Sequence, residues 1–219
     1  IMVAKDFNSN ELKTVQDLSP EKKKLDNLFA VASDLESNGR KVQAIEAWTF
    51  LYQNQPQPQD RALSKAHLGA VHLELGKNEN ALNDFNEAFS LVSQVKAQFP
   101  KETEDVRRLI RSSIVTWNQA EKKKPTDELL QTYQGYLTTF GYEKEMSQWA
   151  VQIAADLKKW DTAWTIHNQA TVNVTEPKAL ENHLLLGVEL GEMSKDEKLV
   201  KTAQDEYLNK SVTKTKYWE

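Results

Sequence analysis

Apolar residues recur along this chain at the three-and-four spacing of helix faces rather than in the alternation of half-buried strands. Between Asn27 and Pro56, Leu28, Val31, Ala32 and Leu35 make one stripe, Gly39 interrupts it, Ala44, Trp48 and Leu51 make a second, and Pro56 closes the segment. From Ser64 to Ser93 the order repeats, with Leu68, Gly69 and His72, then Gly76, then Ala81, Phe85 and Ala88. Gly39 to Gly76 and Ala44 to Ala81 both span 37 residues, while Ala32 to Ala44 and Gly69 to Ala81 both span 12. A fixed period of this length marks a repeat of one supersecondary unit. Each unit is predicted to be two antiparallel helices, with glycine supplying the left-handed residue that ends the first. Ala32 and Gly69 are predicted at close approaches between helices, matched by the small Ala44 and Ala81. Trp48 and Phe85 fill the space one turn further along the same face. Pro56 ends the second helix, because it cannot donate to the ladder and disfavours helix at Gln55.

Beyond Pro100 the pattern weakens but persists. Val106, Leu109, Ile110, Ile114 and Trp117 form one stripe, and Leu129, Leu130, Tyr133, Tyr136, Leu137 and Phe140 another, separated by Lys122–Lys124 and Pro125. A fourth pair is predicted from Trp149, Val151 and Ala154 with Ala163, His167 and Ala170, and a fifth from Leu186, Gly187 and Leu190 with Leu199, Ala203 and Tyr207. The expected units are about 22–56, 62–100, 103–140, 143–174 and 176–209, the second helix of the second unit running to about Phe99. Residues 1–18 are polar and poorly periodic and read as an arm, with Ser19-Pro20-Glu21 opening the first helix and Ser19 as its N-cap. One helical repeat domain over 19–219 follows, its tail from Asn209 ending in Tyr217-Trp218 as a last turn or a free end. The fold class is all-α.

Composition supports this and removes several functions. Seven glycines and six prolines in 219 residues supply little turn chemistry for a many-stranded sheet. With 39% hydrophobic and 27% charged residues and a mean hydropathy of -0.66, the chain folds but keeps much of its surface wet. A net charge of -4 and a pI near 5.7 give no basic stripe to displace counterions from phosphates, so nucleic acid is not an expected partner. No run of about 18 apolar residues offers a membrane span. Cysteine is absent, which removes disulfides, thiolate metal sites and thiol nucleophiles. Together with a start at Ile1 rather than Met, it leans toward an extracytoplasmic, periplasmic setting for a trimmed chain.

The stretch Leu68-Gly69-Ala70-Val71-His72-Leu73-Glu74-Leu75-Gly76, followed by Asn80-Ala81-Leu82-Asn83-Asp84-Phe85, resembles the tetratricopeptide repeat. That family's unit reads as an aromatic, a Leu-Gly pair, a Tyr, then Ala, an aromatic and Pro. Lys65 stands where the first aromatic is usual and His72 where Tyr is usual, and the first unit has Val31-Ala32 in place of Leu-Gly. The resemblance covers about a third of the chain. It implies an α-solenoid of about five antiparallel helix pairs in a right-handed superhelix, with a concave groove lined by the first helix of each pair.

The chain has four histidines, His67, His72, His167 and His183. His67 and His72 are five apart, about 140° around a helix, so they do not share a face as the two ligands of a zinc protease would. His72 and His167 fall on positions that the family fills with a packing aromatic, so packing is the expected role. Phosphate loops, nucleophile elbows and Walker patterns are absent from the sequence. Glu102, Glu104 and Asp105 read as favourable charge at a helix start. Lys22–Lys24 and Lys122–Lys124 are short runs set among acids and read as solvated helix ends. No catalytic residue, metal or cofactor is expected.

The family's groove positions map onto Asp26, Phe29, Ser33 and Glu36 in the first unit and Leu63, Ala66, Ala70 and Leu73 in the second. Some members hold a C-terminal carboxylate with Lys and Asn at such places. Here Phe29, Ser33, Ala66 and Ala70 stand there, so an apolar partner segment anchored by Phe29, Leu63 and Leu73 is expected instead. The leading expectation is a protein–protein interaction scaffold, one setting being a bacterial envelope assembly. A peptide-sensing regulatory module belonging to a longer chain is the alternative, and an enzyme ranks third.

Overall fold

The computed structural model describes residues 21–121 and 124–211, with side chains from Leu25 onward. The arm expected over 1–18, the Ser19 cap and the Tyr217-Trp218 end lie outside these residues, as do the side chains of Lys22–Lys24. Among the described residues the regular elements are α-helices and there is no strand. Ten helices follow in order: α1 Glu21–Ser37, α2 Lys41–Asn54, α3 Pro58–Glu74, α4 Asn78–Val95, α5 Pro100–Glu121, α6 Asp127–Phe140, α7 Lys144–Asp156, α8 Trp160–Thr171, α9 Pro177–Ser194 and α10 Glu197–Lys210. Each predicted pair of stripes corresponds to two consecutive helices.

The turns carry the period. Gly39 has φ +73° and Gly76 φ +67°, both in the left-handed region that side chains resist. After α1 the Gly39 and Arg40 amides donate to the carbonyls of Glu36 and Leu35 at 3.0 and 2.8 Å. After α3 the Gly76 and Lys77 amides donate to Leu73 and His72, both at 2.9 Å. The same two bonds recur after α7, from Lys158 and Lys159 to Ala155 and Ala154, but there Lys158 holds φ +59° without glycine. A left-handed non-glycine residue costs about 1 kcal/mol or more. Lys158→Gly is therefore expected to stabilise the protein by roughly 0.5 to 1 kcal/mol, and an unchanged or lower midpoint in chemical denaturation would contradict this.

The chain divides into two compact units, one ending at Ala120 and one beginning at Glu121, where the pattern predicted a single repeat domain. The division falls at the end of α5 and so separates the two helices of the expected third pair. Between Trp117 and Leu129 the sequence offers only Ala120 as an apolar side chain, which leaves little there to bury.

In the first unit α3 is packed between α2 and α4. Leu28, Ala32, Leu35, Ala44, Trp48, Leu51, Leu68 and Val71 belong to one buried cluster, edged by half-buried Phe29 and Val31. Ala81 and Phe85 are fully enclosed, and the Phe85 ring lies against the α3 backbone at Gly69 so closely that a Cβ there would sit 2.5 Å from it. α4 stops at Val95, short of the expected Phe99; the Gln98 and Phe99 amides both turn back to the Val95 carbonyl at 2.8 and 3.0 Å, and Pro100, which keeps Phe99 out of helix, opens α5. In the second unit α9 and α10 pack through Leu184, Val188, Ala203 and Tyr207. Their first amides are capped by the Glu176 and Asp196 carboxylates.

Candidate partner-binding face

On α1 the residues Phe29, Ser33 and Glu36 share one helix face, and on α3 Leu63, His67 and Ala70 share another. Trp48 of α2 joins the two. Its fully buried indole stacks on the His67 imidazole at 4.0 Å with 5° between the planes, and Phe29 meets the two rings edge-on at 5.1 and 6.1 Å. Glu36 Oε2 accepts from Trp48 Nε1–H at 2.9 Å and lies 2.8 Å from His67 Nδ1. An ionised carboxylate only accepts, so it fixes the imidazole with a proton on Nδ1. Bonds to a charged acceptor in a site this enclosed contribute about 1.5 to 3 kcal/mol each, and they satisfy an indole N–H that would otherwise be buried unpaired. Four side chains from three helices are thereby locked at the edge of the core.

The predicted groove residues divide into three kinds. Phe29, Ser33, Leu63 and Leu73 are half-buried and keep some surface. Glu36 is also half-buried, but its carboxylate is occupied by Trp48 and His67. Ala66 is 0% and Ala70 9% exposed, which corrects their assignment as partner contacts. Ala66 lies on the flank of α3 that it shares with Ala62 and Gly69, and that flank is enclosed because α3 sits between two helices. His67 was not among the predicted residues. Its spacing, four after Leu63 and three before Ala70, is the signal that could have found it.

One end of this face is acidic. Burial pushes the Asp60 carboxyl above its ordinary range, and the neighbouring Glu102 and Asp26 carboxylates add to the rise. Asp60 and Glu102 stand in the first turns of α3 and α5, where helix dipoles favour negative charge. An approaching anion meets repulsion there.

A second polar network ties α2, α3 and α4 together. Asp84, 7% exposed, accepts from Lys65 Nζ at 2.8 Å and pairs with His72 Nδ1 at 2.7 Å. Lys65 also reaches Glu87 at 2.9 Å, the Tyr52 hydroxyl donates to Glu87, and Arg61 donates to the Tyr52 oxygen at 3.1 Å. Burial alone would lower the Lys65 ammonium, yet Asp84 and Glu87 hold it above its ordinary value. Burial alone would raise Glu87, yet Tyr52, Lys65 and Arg61 hold it below. The two α3 positions that depart from the aromatic pattern, Lys65 and His72, are thus answered by one carboxylate.

No protein-family model and no curated protein matches the chain. A solved structure described as "Crystal structure of BtubC (BKLC) from P. vanneervenii" is similar over 92% of this chain and 87% of that one, with 11% identity and a TM-score of 0.40. A likeness of that degree carries no argument about function.

Among the described residues no three His, Asp or Glu side chains are grouped as metal ligands, and no helix is long and apolar enough to cross a membrane. His67 and His72 engage different carboxylates, Glu36 and Asp84.

Proposed function

We propose that this chain is a protein–protein interaction module of the tetratricopeptide type, and that the α1–α3 face receives an apolar segment of its partner. The observation that carries this reading is the incomplete burial of Phe29, Leu63 and Leu73, with Phe29 set against the Trp48–His67–Glu36 assembly. A side chain already enclosed by neighbouring helices has no surface to offer, whereas a half-exposed aromatic held by its neighbours loses little rotamer freedom on binding. The acidic end formed by Asp26, Asp60 and Glu102 disfavours a peptide that presents a free carboxylate. This agrees with the lack of Lys and Asn at the groove positions.

Truncating an anchoring side chain costs about 2 kcal/mol in many interfaces. The Phe29→Ala, Leu73→Ala double variant is expected to weaken capture of the native partner at least about tenfold, equivalent to about 1.4 kcal/mol, with helical content retained. A photo-reactive residue at position 63 should cross-link that partner, and one at the exposed position 83 on α4 should not. Equal capture by both proteins, or cross-linking only from position 83, would move the interface off this face.

A further inference from the structure

The repeat register of the second unit puts an imidazole where the first unit has carbon-rich rings. His167 stands 119 residues after Trp48, the same interval that separates Ala44 from Ala163 and Gly39 from Lys158. It is fully buried. Its ring lies parallel to His183 of α9, with centroids 4.1 Å apart and 10° between planes, and Trp164 stacks near it at 5.4 Å. Neither ring nitrogen of His167 has a hydrogen-bond partner, and a Cβ on Gly187 would lie 2.6 Å from Nε2. His183 differs, since its Nε2 lies 3.1 Å from the His167 carbonyl oxygen and so carries the proton. A neutral imidazole tolerates such a site at the cost of unmade hydrogen bonds, but an imidazolium there is a buried charge with no acceptor.

The surroundings offer it no counter-charge. On α8 itself Asp161 is exposed. α7, packed against α8, buries no titratable side chain, and its Lys144, Glu145 and Asp156 are exposed. On α9, Lys178, Glu189 and Glu192 are exposed, and Glu181 accepts from the Tyr207 hydroxyl at 3.4 Å. Among the described residues the titratable group that faces His167 is His183, which lies ring on ring with it and supplies neither an acceptor nor a negative charge.

We propose that the His167–His183 stack is an acid-sensitive latch that closes α8 on α9, packed while the His167 ring is neutral and opened by a proton on it. Burial, with His183 as the second cause, pushes His167 down to about 3, against about 6.5 in an open chain. Because the folded value is the lower one, the latch is intact above about pH 6.5 and weakens progressively as pH falls toward 3. Between about pH 7.5 and about pH 5 this one group raises the population of the open form about 30-fold.

Hydrogen exchange of the full chain, corrected for the intrinsic pH dependence, tests this. Amides of α8 and α9 should open about 30-fold more often at the lower pH, and those of α3 and α4, whose equivalent ring is Phe85, should change far less. His167→Phe should abolish the gain, phenylalanine being the ring that already lies against a glycine in the first unit. An undiminished gain in that variant overturns the proposal. Should His167→Phe not fold, the imidazole signal of the unsubstituted protein decides. No titration of His167 above about pH 5 is expected, and a midpoint near 6.5 in the folded state overturns the latch.

Discussion

Gly69→Ala should lower the stability of the first unit by about 3 kcal/mol, although alanine is the better helix former by about 1 kcal/mol. Propensity and packing oppose each other at this position, and the distances decide between them. A Cβ built on Gly69 lies 2.5, 2.7 and 2.8 Å from three atoms of the Phe85 ring, closer than carbon atoms approach. The ring is 0% exposed and belongs to a helix packed along α3, so it has nowhere to swing. Relief requires α3 and α4 to separate, which opens the contact that Ala81 makes possible by being small. For a chain of this length the loss corresponds to roughly 6 to 12 °C in melting temperature. Gly69→Trp or Ala81→Trp should abolish the α3–α4 packing altogether. Phe85→Leu placed with Gly69→Ala removes the opposing ring and should recover part of the loss. A melting temperature at or above that of the parent for Gly69→Ala alone would show that the register of the two helices is misread.

What could be seen in the sequence is what the backbone itself demands. Gly39 and Gly76 mark turns because their φ favours glycine, and Ala44, Ala81 and Ala163 mark helix faces that are fully enclosed. Lys158 occupies the same turn without glycine, so that unit was found only through its alanine and apolar spacing. Contacts across the sequence were not visible. Glu36 lies 12 residues from Trp48 and 31 from His67 along the chain, and the sequence sets His67 only against His72 as a metal-ligand pair. The five-residue spacing of those histidines excludes a shared face but says nothing of partners on other helices. Register alone assigns Ala66 to the groove face, although a helix with a neighbour on each side has little free flank. The apolar gap between Trp117 and Leu129 is legible in the sequence, but stripes alone do not tell a long connection inside one core from a division between two compact units.

Lys65, His72 and Asp84 resemble decay of the repeat when each is seen alone, and together they set the second large expectation. Asp84→Ala removes the acceptor of both Lys65 and His72 in a place where its side chain is 10% exposed and those of its partners 14% and 13%. Lys65 keeps Glu87 as a partner, but that carboxylate is 41% exposed at its side chain and its attraction is screened by solvent. Breaking one side of an enclosed charged pair typically costs about 3 to 5 kcal/mol, because the partner left behind is desolvated and unanswered. A loss near the lower end is expected here, since Glu87 answers part of the Lys65 charge. The matching control replaces all three groups. Lys65→Met with His72→Phe and Asp84→Leu leaves no enclosed charge unanswered, since Glu87 loses Lys65 but is 41% exposed at its side chain and keeps the Tyr52 hydroxyl, so it should return to within about 1 kcal/mol of the parent. Chemical denaturation at neutral pH compares the two variants directly. If Asp84→Ala costs less than about 1 kcal/mol, or the triple variant is no more stable than the single one, the network does not hold α3 against α4, and the apolar contacts around Phe85 carry that interface alone.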